Sequence, residues 1–143
     1  MTAFSAVLDC ISVYYGEHAV AKKMKNILVV DDEENARIAL SKILSREGFA
    51  VASAANGFEA LNYLRGNDVD LIITDINMPE MNGMEFLREL GRVHPTTSVI
   101  MITAYGEVES YIEAMDLGVF EYINKPVKID ELKKIIHKVF MEA

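Results

Sequence analysis

The chain contains one cysteine, Cys10, in 143 residues. A lone thiol excludes an internal disulfide and fits a reducing compartment. No apolar run approaches the roughly 20 residues needed to span a bilayer. The opening stretch "MTAFSAVLDCISVYYGEHAV" lacks a basic n-region and is interrupted by Asp9 and Glu17, which argues against a secretory signal. Positive charge is scarce as well: 14 Lys and Arg stand against 22 Asp and Glu, a formal net charge of −8. An acidic surface repels phosphate backbones, so direct binding of nucleic acid is disfavoured. These absences lead us to expect a soluble, cytoplasmic protein without a membrane partner. What is present is an ordinary globular balance, 51% hydrophobic and 25% charged, on a chain long enough for one domain with a real core.

From Asn26 onward two periodicities alternate. "NILVVD" is a short, nearly continuous apolar run, as in a strand buried on both faces. Ala36, Ala39, Leu40, Ile43 and Leu44 then recur at helical spacing, and Gly48 ends the segment. "FAVASA" and "NGFEALNYLRG" repeat the pair, followed by "DLIITD" and a helix over 83–91. "SVIMIT" is a fourth strand, followed by a helix carrying Val108, Tyr111, Ile112 and Met115. "VFEYIN" is a fifth, before a final helix bearing Leu132, Ile135, Ile136, Val139 and Phe140, with Asp130 as its expected cap. Five strand-helix units in strict alternation predict a five-stranded parallel sheet with helices on both faces.

Ligands of such sheets bind outside the carboxyl ends of the strands. There the sequence places Asp31 and Asp32 after the first strand, Asp75 at the end of the third, Thr103 at the end of the fourth and Lys125 after the fifth. Singly, each has an ordinary explanation. Carboxylates favour a helix start, and an aspartate accepts bonds from turn amides. Together they form three acids, a hydroxyl and an ammonium. Converging carboxylates repel one another and call for a cation or a proton. Hard oxygen ligands with room for water suit Mg²⁺, and the set as a whole suits a phosphoryl group.

Residues 1–23 stand apart. Phe4, Val7, Leu8, Ile11 and Tyr14 fit a short amphipathic helix, while Met24-Lys25 would make a natural start. A misplaced upstream start or an appended leader accounts for this extension better than a functional arm does. The expected division is therefore an extension over 1–23 and a domain over 24–143.

"ILVVDDEEN", "IITDINMPEMNGMEFL", "VIMITAYGE" and "EYINKPV", in that order, resemble the receiver domain of response regulators in two-component signalling, over about 24–142. The resemblance implies a flavodoxin-like (βα)5 fold with strand order 2-1-3-4-5. It implies that Asp75 accepts the phosphoryl group from a histidine kinase or histidine phosphotransferase. Asp31, Asp32, Asp75 and the backbone carbonyl of Asn77 would hold Mg²⁺. Thr103 and Lys125 would contact the phosphoryl oxygens, and Thr103 with Tyr122 would form the switch that a downstream protein reads. Asn77 and Tyr105 would tune phosphoryl lifetime. Pro126 would follow a cis bond, and a phosphorylation-dependent homodimer is compatible with the pattern. The resemblance also implies some enzymatic character, because receivers catalyse their own phosphorylation and dephosphorylation.

The sequence leaves open a stand-alone regulator or an excised receiver. Rival readings are weaker. Haloacid-type phosphatases want a second aspartate where Asn77 stands, and "DDEEN" would repel a flavin phosphate. A docking module that works without phosphorylation should lack Asp75, Lys125 or an acidic partner, and none is missing. His18, His94 and His137 share no evident site. Met78, Met81 and Met84 lack the cysteine or histidine company of a soft-metal site.

Overall fold

The computed structural model describes residues 24–104 and 108–142, so the 1–23 extension lies outside the described residues. Its strands are β1 (Asn26–Val30), β2 (Ala50–Ala54), β3 (Leu71–Asp75), β4 (Ser98–Thr103) and β5 (Glu121–Asn124). The helices are α1 (Glu34–Arg46), α2 (Gly57–Leu64), α3 (Gly83–Val93), α4 (Val108–Asp116) and α5 (Ile129–Glu142). All strand pairs are parallel, in the order β2-β1-β3-β4-β5. The flavodoxin-like expectation is met.

Alternation along the strands builds two cores, because successive side chains point to opposite faces. Ile27, Val29, Leu71, Ile73, Ile100 and Ile102 face α1 and α5, where they meet Leu44, Leu132, Ile136 and Val139. Leu28, Val30, Ile72 and Met101 face α2, α3 and α4, where Ala60, Leu64, Phe86, Leu87, Leu90 and Ala114 close the layer. Every residue of β3 is buried, which explains the apolar run Leu71, Ile72 and Ile73 that opens it.

Local chemistry sets the element ends. Asn56 and Asn82 cap α2 and α3, each side chain accepting from an amide three residues on. Gly48, with φ of 96°, takes the left-handed turn that follows α1.

One sequence expectation needs correction. Asp130 is not a cap: α5 begins at Ile129, which leaves Asp130 in the first turn, where its charge favours the helix dipole. The spacing placed Tyr111, Ile112 and Met115 on α4 without assigning their face. They are exposed, and over 110–116 Ala114 is the residue that packs inward. Periodicity identifies a stripe on a helix, and here a small residue lets the helix approach the sheet while the large stripe stays in solvent.

Candidate functional site

Reversal of the sheet's winding puts β1 beside β3, so the carboxyl ends of both strands open onto one edge. Asp31, Asp32 and Asp75 meet there, with one ligand oxygen from each lying within 4.8 Å of the others. At such a spacing and an effective dielectric near 20, each ionised pair repels by roughly 3–4 kcal/mol. Lys125 offsets part of this, its Nζ lying 3.0 Å from Asp75 Oδ2 and 3.8 Å from Asp31 Oδ2.

Asp75 is held at both oxygens. Lys125 Nζ donates to Oδ2 at 3.0 Å and the Asn77 amide donates to Oδ1 at 3.1 Å. Its side chain is only 8% exposed, yet it borders the open cluster. The following loop is tied down tightly. Gly83 N donates to the Ile76 carbonyl at 2.7 Å. A Cβ on Gly83 would fall 2.5 Å from the Asp75 carbonyl oxygen and 2.6 Å from Ile76 Cα, so only glycine permits this approach.

Burial raises the Asp31 carboxyl above its ordinary 3.8, against the hydrogen bond from the Glu33 amide and the Lys125 charge; Asp75 and Asp32 add to the rise. For Lys125, burial disfavours the ammonium, but the hydrogen bond to Asp75 and the charges of Asp75, Asp31 and Glu33 outweigh it, for a net upward shift. The cluster thus disfavours the charged form of Asp31 and secures the Lys125 ammonium.

Lys125 owes its place to β4. Its amide donates to the Thr103 carbonyl at 2.7 Å, and the Lys125–Pro126 bond is cis, as the resemblance implied. Thr103 is fully buried at the end of β4, one residue beyond Ile102, the β4 partner of Asp75. Tyr122 is 8% exposed on β5, and its ring meets Tyr111 of α4 edge to face, with centroids 5.5 Å apart. Tyr105 lies outside the described residues.

An apolar groove of about 180 Å³ runs from the acidic cluster along α1, lined by Asp31, Ala36, Leu40, Ile43, Lys125 and Val127. Ala36, Leu40 and Ile43 form one wall of it, and Leu40 also packs against the core.

A family model for the response regulator receiver domain matches residues 27–137. The chain belongs to the response regulator receiver family. It is therefore a phospho-accepting module of two-component signalling. The receiver is 35% identical over 114 residues to sporulation initiation phosphotransferase F of Bacillus subtilis, covering 80% of this chain and 92% of that protein. It is 41% identical over 115 residues to regulatory protein AtoC of Escherichia coli, where it spans only a quarter of the length (25%). Among solved structures it is similar to a receiver domain protein from Clostridium thermocellum, with TM-score 0.79, 34% identity and coverage of 83% of this chain and 96% of that one. It is also similar to the response regulator TrrA of Thermotoga maritima, solved in complex with Mg²⁺-BeF, with TM-score 0.74, 38% identity and coverage of 81% and 99%.

The donor set of this receiver fits a hard divalent cation: three carboxylates converge, and the exposed Asp32 leaves room for water. The remaining candidates fall elsewhere. His94 ends α3 and His137 is exposed on α5, while His18 lies outside the described residues. Met78 and Met84 are buried, and Met81 packs against Gly57, whose added Cβ would lie 2.7 Å from the Met81 sulfur. The methionines of this loop are packing. Among the described residues no helix is long and apolar enough to cross a membrane.

Two features were missed in the sequence. Arg37 reaches back from α1 to donate to the Asp31 carbonyl at 2.8 Å. Glu80 adopts a left-handed φ of 68° in the loop after Asp75, uncommon for a residue with a Cβ. An arginine one helical turn into α1 was the only signal for the first, and nothing marked the second.

Proposed function

We propose that Asp75 accepts a phosphoryl group from a phosphohistidine on a histidine kinase or histidine phosphotransferase, and that a downstream protein reads the result. The observation that carries this reading is a buried carboxylate held 3.0 Å from an ammonium inside a three-carboxylate cluster. An Asp75 oxygen bonds to phosphorus as the phosphorus–nitrogen bond breaks, and the electron pair stays on the imidazole. The product is an acyl phosphate. Lys125 meets the charge of the phosphoryl oxygens, and the Thr103 hydroxyl donates to one of them. Asn77 N–H orients the attacking carboxylate, which lowers the cost of reaching a reactive geometry.

Asp31, Asp32, Asp75 and the Asn77 carbonyl would hold Mg²⁺. Bound there, the ion would supply Lewis-acid neutralisation of phosphoryl charge. Later attack of water on phosphorus returns the free carboxylate, with Asn77 and Tyr105 setting how fast. Inward packing of Tyr122, coupled to Thr103, biases the surface around α4 and β5 toward its reader. Two-component signalling places this exchange in the cytoplasm. Likeness to sporulation initiation phosphotransferase F along most of that protein's length supports a relay role; a phosphorylation-dependent homodimer is a further form the output can take.

Beryllofluoride tests the reading, because it mimics the phosphoryl group on a carboxylate. With Mg²⁺, the parent should give a bound fluorine-19 resonance that Asp32→Asn loses. A bound signal equally strong without Mg²⁺, or retained in Asp32→Asn, would contradict it.

A further inference from the structure

The carbonyl of Asp31 belongs to the peptide that joins the two acids of β1's end. It accepts a partly buried hydrogen bond from a side chain, Arg37 Nη1, at 2.8 Å. Asp31 is gripped at two further points: its amide donates to the Ala54 carbonyl at 3.1 Å, and its Oδ1 accepts from the Glu33 amide at 2.9 Å. These contacts come from β2, from the turn into α1 and from α1 itself. Because a peptide unit is planar, fixing the Asp31 carbonyl fixes the plane that leads to the Asp32 Cα. That plane sets where the Asp32 Cα lies, and with it the base of the exposed Asp32 side chain.

We propose that Arg37 is a positioning residue for the divalent-cation site: by holding the Asp31–Asp32 peptide plane, it presets both carboxylates before an ion arrives. This role rests on the reading that the cluster binds Mg²⁺. It also has a sign that plain electrostatics reverses. A guanidinium bonded to the Asp31 carbonyl brings positive charge to the edge of the site and opposes a cation, so deleting it should tighten Mg²⁺ binding on charge grounds alone. Positioning requires that deletion weaken binding. The planar guanidinium, with donors in a fixed fork, suits this task better than a flexible ammonium.

Calorimetric titration of the full chain with Mg²⁺ separates the two. Arg37→Ala and Arg37→Gln should each raise the Kd about tenfold, as lost outer-shell partners typically do. Arg37→Lys, which keeps the charge and a donor, should fall between them and the parent, and it serves if the other variants fold poorly. Arg92→Gln deletes a charge on the last turn of α3, where Arg92 pairs with Glu89 at 3.0 Å, and should leave the Kd unchanged. In the metal-free protein, the Glu33 amide should exchange its hydrogen faster in Arg37→Ala than in the parent. Affinity that is unchanged or tighter in Arg37→Ala and Arg37→Gln overturns the role of Arg37 alone, even if the melting temperature falls. A parent that does not bind Mg²⁺ overturns the site reading, and this role with it.

Discussion

Helices α3 and α4 follow adjacent strands and cover the same face of the sheet, yet they are held very differently. Gly83, Met84, Phe86, Leu87 and Leu90 of α3 are all buried, and its first residue packs directly on the Asp75 backbone. Over 110–116 of α4, Ala114 alone is buried. Tyr111 and Ile112 are 46% and 52% exposed. Among the described residues, the contacts of α4 beyond Ala114 include a side-chain ion pair from Arg88 to Glu113 and the edge contact of Tyr111 with Tyr122. Exposed ion pairs contribute little, and an aromatic pair adds about 0.5–1.5 kcal/mol. The end of the site that must stay still for chemistry is thus anchored in core. The described part of α4, over 110–116, rests on lighter contacts, as a movable element should.

That contrast predicts a graded set of effects. Phe86→Ala should be the most costly, about 3–5 kcal/mol in chemical denaturation; a loss below about 1 kcal/mol would mean that α3 is not the anchor described.

Asp31→Asn should act in the opposite direction, stabilising the metal-free protein by about 1 kcal/mol near neutral pH. It removes a carboxylate whose folded pKa is raised by burial and by neighbouring acids, while its amide oxygen can still accept from Glu33. For an acid with a raised folded pKa, the cost applies when the group is ionised and vanishes as pH falls through that pKa toward 3.8. The advantage of Asp31→Asn should therefore shrink on acidification, read as the difference in melting temperature between variant and parent. An advantage that grew on acidification would contradict the sign.

Ile112→Gln should be the mildest, within about 0.5 kcal/mol of the parent. A large loss would mean that the exposed stripe of α4 is covered in solution.

Much of this was legible in the chain. Strands buried on both faces announce themselves as short apolar runs, and the polar residue ending each run marks the sheet edge where ligands gather. That is why Asp31, Asp32, Asp75, Thr103 and Lys125 could be named together, and Asp31, Asp32, Asp75 and Lys125 prove to cluster within ion-pair reach. The outward stripe of α4 was not legible, because spacing gives a stripe without saying whether sheet or solvent receives it. Arg37 was hidden for another reason: a side chain reaching a backbone carbonyl leaves no pattern of residue types, only a turn geometry. Glu80's left-handed backbone was equally silent, since glutamate does not advertise that conformation.

The most direct test of the central claim is intact-mass measurement after incubation with acetyl phosphate, with and without Mg²⁺, on the parent and on Asp75→Asn. The account predicts a single added phosphoryl group on the parent that requires Mg²⁺ and is absent from Asp75→Asn. An adduct of the same size on Asp75→Asn, or none on the parent with Mg²⁺ present, would contradict it.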